Sequence, residues 1–148
     1  MVKDVPLGEI TLRRYEKPYD FSQRDLVRKI CLSLGLLQPG DSRDIIVDMM
    51  LVLEKARKEK LWLSSFEIRD RIQESRREHS LEIKGLAESN IRRQLKRLRD
   101  SLLADKKGNQ YRMAEFAPLS ELFCSKIENF IVPQTIERIK EYLNKLES

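Results

Sequence analysis

The side chains with the strongest chemical character lie between Ser89 and Met113. The run Ser89-Asn90-Ile91-Arg92-Arg93-Gln94-Leu95-Lys96-Arg97-Leu98-Arg99-Asp100-Ser101-Leu102 divides cleanly on a helical wheel. Ile91, Leu95, Leu98 and Leu102 fall on one narrow stripe. Ser89, Arg93, Lys96, Arg97 and Asp100 lie opposite it, with Asn90, Arg92 and Arg99 on the flanks. A solvated amphipathic helix is the ordinary explanation of such a pattern, but solvated helices usually pair their cations with acids at i±4. Between Ile91 and Arg99 the sequence supplies no acid. The stretch that follows adds Lys106, Lys107 and Arg112, opposed only by Asp105. Residues 89–113 thus hold eight basic and two acidic side chains, while the remainder of the chain is nearly balanced, so one short segment accounts for the net charge of +5. A concentrated excess of that kind suits a polyanionic partner.

The surrounding sequence must position this segment. Alternating apolar and polar residues from Gly8 to Tyr15 predict a short strand. Ser22 and Asp25 then open a helix, with Phe21 and Leu26 as a hydrophobic staple, and Leu26, Val27, Ile30, Cys31 and Leu34 recur at helical spacing up to Gln38-Pro39-Gly40. A second helix is expected from Asp41 or Ser42 to about Lys60. It is apolar nearly all round at Ile45, Ile46, Val47, Met49, Met50, Leu51, Val52 and Leu53, so it should be the buried centre. Leu61-Trp62-Leu63 reads as extended. Ser64 and Glu67 form a capping box and Leu63 with Ile68 a staple. That third helix turns Ile68 and Ile72 to the core and leaves Arg69, Arg76 and Arg77 in water. A polar connection, Glu78 to Leu86, leads to the basic helix at about Ala87–Ser101, and a hairpin follows from Leu102 to Met113, turning at Asp105-Lys106-Lys107-Gly108-Asn109.

The order of capped helix, basic helix and basic glycine hairpin carries a resemblance. Leu86-Ala87-Glu88-Ser89-Asn90-Ile91-Arg92-Arg93-Gln94-Leu95-Lys96-Arg97-Leu98, with the hairpin ending Gln110-Tyr111-Arg112-Met113, resembles the recognition helix and wing of winged helix-turn-helix regulators from bacteria and archaea. The likeness covers residues 41–113, about half the chain. It implies a mainly α fold with a small β-hairpin wing, carrying a strand-helix extension over residues 1–40 and a helical segment over residues 114–148. It also implies a sequence-specific regulator of transcription that binds double-stranded DNA, its helix in the major groove and its wing on flanking phosphate or in the minor groove. Ser89, Asn90 and Arg93 would then contact bases, Lys96 and Arg97 would be shared between bases and backbone, and Arg92, Lys106, Lys107 and Arg112 would contact phosphate. Two features depart from the pattern: Ala87 stands where a capping Ser or Thr is common, and the connection from Glu78 to Leu86 is longer than a tight turn.

The remaining segments narrow the field. His79 stands alone, Cys31 and Cys124 match no metal-ligand spacing and read as small buried hydrophobes, and Asp44 with Asp48 reads as a surface pair. No phosphate-cradling glycine loop or nucleophile motif occurs, so neither enzyme activity, metal nor cofactor is expected. Trp62 reads as core. No apolar run reaches the roughly 20 residues of a membrane span, and the first residues lack the apolar core of a signal peptide, so the expected setting is cytoplasmic, without a membrane. In the tail, two helices are expected at about Leu119–Val132 and Pro133–Leu146. Leu119, Leu122, Phe123, Ile127, Phe130 and Ile131 make one broad apolar face, and Ile136, Ile139, Leu143 and Leu146 start a heptad stripe. Their expected role is a homodimer interface, the other possibility being that both fold back on their own domain. Two further functions stay open: a winged-helix adaptor binding protein or RNA, and a repressor that senses an effector.

Overall fold

The computed structural model describes residues 3–148. Met1 and Val2, the head of the segment expected not to be a signal peptide, lie outside the described residues. The molecule is mainly helical with one small three-stranded antiparallel sheet. Among the described residues no helix is long and apolar enough to cross a membrane.

The first helix, α1 (Gln23–Ser33), begins where Ser22 accepts the backbone N–H of Asp25 at 3.1 Å. The second, α2 (Ile45–Lys58), is the predicted centre: Ile45, Ile46, Val47, Met49, Met50, Val52, Leu53 and Ala56 are all buried. It starts three to four residues later than predicted. Asp41 commits its carboxylate to the N–H of Arg43, a side-chain turn that holds the chain out of the helix up to Asp44. The short strand β1 (Leu63–Ser64) runs directly into α3 (Ser65–Glu78), which carries both hydrogen bonds of the Ser64–Glu67 capping box. After residues 79–87 comes α4 (Glu88–Asp100), then β2 (Ala104–Lys107) and β3 (Gln110–Met113). β3 is central, pairing Leu63 with Tyr111 on one side and Lys106 with Tyr111 on the other. The hairpin turns on two residues, Gly108 and Asn109, tighter than the five predicted, so Asp105, Lys106 and Lys107 belong to a strand. Gly108 holds φ +59°, the positive value that a two-residue hairpin turn needs at its first position.

The tail departs from the expected pair of separate helices. α5 (Leu119–Leu122), a π-helical stretch (Phe123–Ile131) and α6 (Val132–Glu147) follow without a break. The N–H of Val132 reaches back five residues to Ile127. This wide turn lies just before Pro133, which has no N–H to give to the ladder. The first half folds back: Leu122 and Ile127 are fully buried in the common core. The second half does not, for α6 buries no residue at all.

Several expectations fail for one shared reason, that a distant partner outweighs the local pattern. The strand predicted over Gly8–Tyr15 does not form, so the extension is an irregular segment followed by a helix. Among the described residues no second strand lies beside it. Arg13 docks the segment instead, donating to the carbonyls of Leu32 and Leu37 and to the amide oxygen of Gln38. Cys124, expected to be buried, is exposed on the outer side of the π-helical stretch, whereas Cys31 is fully buried. Burial pushes the Cys31 thiol up to about 12.

The largest correction concerns charge inside the protein. Arg76 is not wet and Asp48 is not on the surface: they are 3% and 0% exposed. Arg76 donates to Asp48 at 2.6 Å, to Asp44 at 3.1 Å and to the carbonyl of Glu82 at 2.7 Å. Arg24, from α1, donates to both carboxylates from the other side. Burial pushes the Asp44 carboxyl up, but the hydrogen bonds from Arg24 and Arg76 outweigh it and hold the group below its ordinary value. Removing Asp48 from this buried network leaves Arg24 and Arg76 to share Asp44, with buried donors that have lost their partner. We expect Asp48→Ala to lose about 3–5 kcal/mol of unfolding free energy, read as a lower urea midpoint. An unchanged midpoint would show that water replaces the carboxylate at no cost.

Candidate nucleic-acid interface

α4 is anchored by three of the four residues of the stripe read from the sequence: Ile91, Leu95 and Leu98 are fully buried, whereas Leu102 falls beyond the helix end with φ +62° and is only half-buried, Leu103 taking the core position. Its N-terminus has no side-chain cap at Ala87, and its first residue is tied to α3 instead. Ser65, the buried first residue of α3, donates its hydroxyl to Glu88 Oε1, which also accepts from Arg92 at 2.9 Å. The Ser65 hydrogen bond, with help from Arg92, holds the Glu88 carboxyl below its ordinary range. This contact joins the starts of α3 and α4, and the turn between the helices is fixed at its other end by Gly85. Gly85 has φ +76°, and a Cβ there would stand 2.8 Å from Ile45 Cγ1. Its carbonyl accepts from Asn90 Nδ2 at 2.8 Å. The longer connection is therefore held at several points, from Arg76 on Glu82 to Asn90 on Gly85.

The nine predicted contact residues divide into three groups. Asn90, Arg97 and Arg112 are occupied by the fold. Asn90 holds Gly85 and accepts from Arg93 and Gln94 through Oδ1. Arg97 is half-buried and donates to Gln94 and, across 62 residues, to the carbonyl of Gly35. The N-terminal unit meets α4 at that point, and Thr11 crosses so close to Gly35 that no side chain fits there. Arg112 lies between two rings, 4.4 Å from the centre of Trp62 and 4.6 Å from that of Phe116, with its Nε on Asp105 at 2.9 Å. Trp62 is half-buried and serves as one wall of this clamp.

The second group is exposed but paired. Arg92 meets Glu88 and Lys96 meets Asp100, each at 2.9 Å and four residues apart. The acidic partners expected to be missing are thus present just outside the window Ile91–Arg99. Exposed pairs of this spacing contribute about 0.3–0.5 kcal/mol, so a phosphate can displace them at little cost. The third group is exposed and has no carboxylate within 4 Å among the described residues: Arg93, Lys106 and Lys107, with Ser89 exposed beside them. Lys106 stands over the Tyr111 ring at 5.7 Å.

Sequence reasoning left out Arg99, which is also exposed and carries no ion pair among the described residues. The signal was available, because the positions four residues away, Leu95 and Leu103, are apolar and cannot pair with it. Exposed guanidinium and ammonium groups of this kind can bind anions through charge-assisted hydrogen bonds.

Compared with family models, with curated proteins and with solved structures, the chain finds no match in any of the three.

The close approach at Gly85 is directly testable. Gly85→Ala combines a strained positive φ with a clash on Ile45, and we expect it to lose about 1–3 kcal/mol of stability. The measurement is a thermal melt, and an alanine variant as stable as the parent would mean that the loop relaxes freely.

Proposed function

We infer that the chain binds duplex DNA, and that residues 41–113 are a winged helix-turn-helix module with α4 as its recognition helix and the β2–β3 hairpin as its wing. The element order α2, β1, α3, α4, β2, β3 and the strand order β1-β3-β2 support that reading. The observation that carries it is electrostatic. Residues 89–113 hold eight basic side chains against two acidic ones, and Arg93, Arg99, Lys106 and Lys107 project from them with no acidic partner among the described residues. Such cations release counterions when they meet a phosphate backbone.

In this reading Ser89 and Arg93 are free to reach base edges, while Arg92, Lys96, Arg99, Lys106 and Lys107 serve the backbone. Asn90, Arg97 and Arg112 support them from behind. Sequence-specific regulation of transcription is the proposed role. The test is a shift assay with random duplexes over a salt titration, followed by selection of the bound pool. Affinity should fall with salt at a log–log slope near −0.9 per phosphate neutralised. Arg93→Ala with Lys96→Ala should weaken binding and flatten that slope by roughly one for each phosphate left without its cation. Unchanged duplex binding by that double variant removes the proposal.

We further propose that the module works as a homodimer joined through α6. Ile136, Ile139 and Leu143 are about half exposed and Leu146 is 80% exposed, although they share one stripe with heptad spacing. A second copy supplies the same stripe, and a dimer would read half-sites about 10 base pairs or a multiple apart. Light scattering should give the mass of two chains. Ile139→Lys with Leu143→Lys should give the mass of one, with the fold intact because α6 buries nothing. A parent protein that scatters as a single chain at high concentration overturns the dimer.

A further inference from the structure

A cleft of about 490 Å³ opens between the chain after α1, the start of α2, the loop before α4 and one flank of α4. Five cations line it, Arg43, Arg76, Lys84, Arg93 and Arg97, against two carboxylates, Asp41 and Asp44. The carboxylates are already answered. Asp44 is held between Arg24 and Arg76, and Asp41 holds Arg43 at 3.2 Å. Arg76 is buried in its own network and Arg97 is held by Gln94 and Gly35, so the cations within reach of a ligand are Arg43, Lys84 and Arg93. The Arg43 side chain is 85% exposed, and Lys84 meets only the exposed Glu82 at 3.2 Å. Beneath them the lining is apolar: Leu36, Leu37, Ile45 and Ile46.

We propose that this cleft binds a small phosphorylated molecule with an apolar or aromatic body, of mononucleotide size, and that its occupancy displaces DNA. Its volume falls in the range of small-molecule sites, and its lining is mainly polar and cationic with an apolar portion. Inorganic phosphate alone would fill only a small part of this volume, and a neutral ring system would leave the cations unanswered. Guanidinium groups favour phosphate because they bind it in paired hydrogen bonds. Arg93 belongs to both sites, so a ligand phosphate on Arg93 withdraws it from the duplex and brings negative charge against α4. Only this competition rests on the DNA reading; binding in the cleft does not.

The test is calorimetric titration of the full chain with ADP, alongside adenosine and inorganic phosphate. ADP should bind once per chain, at least about tenfold more tightly than either control, since charged hydrogen bonds and apolar contact each contribute. Arg43→Ala with Lys84→Ala, two exposed sites outside the proposed DNA contacts, should weaken ADP about tenfold or more and leave the thermal midpoint and duplex binding unchanged. ADP should release bound duplex from the parent protein and not from this variant. ADP binding no tighter than phosphate, or equal binding by parent and variant, overturns the cleft. Loss of duplex affinity in the variant without ADP binding by the parent would assign the cleft to a DNA backbone phosphate and overturn it as well. If ADP binds as expected and no duplex binds under any salt, the DNA reading fails while the cleft stands.

Discussion

The organisation of this protein depends on a carboxylate with no access to water. Asp48 sits in the first turn of the buried central helix α2, and its charge is answered by Arg24 from α1 and Arg76 from α3. Taking ions out of water costs several kcal/mol each even after relaxation. The arrangement is tolerable only because nearly every polar atom finds a partner, including the carbonyl of Glu82 beyond the end of α3. Three helices and one loop are thereby bound to a single point. Apolar packing alone would allow α3 to slide or rotate on α2 with little penalty. A buried guanidinium does not, since a small shift breaks hydrogen bonds that no solvent can replace.

That constraint propagates to α4 in two steps. Arg76 sets the start of the connecting loop, and Gly85, pressed on Ile45, sets its end. Ser65 meanwhile binds Glu88, so the first turns of α3 and α4 cannot separate. The cationic face is then divided between fold and solvent. Asn90 holds the connecting loop, Arg97 is used by the N-terminal unit, Arg112 is held by two rings and Asp105, and the cations that remain point outward. Charge counting along the sequence treats all of them alike. The structure separates arginines whose hydrogen bonds are already made from those whose bonds a ligand could still make, and only the latter gain much from a polyanion.

Much of this was legible beforehand wherever the determining interactions are local. The capping box at Ser64, the all-round apolar α2, the leucine stripe of α4 and the glycine turn at Gly108 involve residues a few positions apart, and each formed. The misreadings share the opposite property. Asp48 and Arg76 are 28 residues apart, Arg13 and Leu37 are 24 apart, and Arg97 reaches Gly35 over 62. Helical spacing made Asp44 and Asp48 look like a surface pair, because nothing near them in sequence announces the two arginines that bury them. The alternation from Gly8 to Tyr15 failed for the same reason: a strand needs a neighbour, and none was provided. For the candidate interface, the identity of the cations was readable, but their commitments were not.

The tail presents a different balance. α5 and the π-helical stretch are held in the core through Leu122 and Ile127, whereas α6 contributes no buried residue and still displays four large apolar residues on one side. An isolated helix of sixteen residues is marginal in water, and this one gains what order it has by continuing a segment that is already fixed. Its exposed stripe adds little to the stability of a single chain and increases the tendency of that chain to associate. Heptad spacing also restricts what can cover it, since alternate spacings of three and four match another helix better than a flat surface. A helix whose apolar face finds no cover inside the chain, joined directly to the core, is therefore best understood through what it meets outside its own fold.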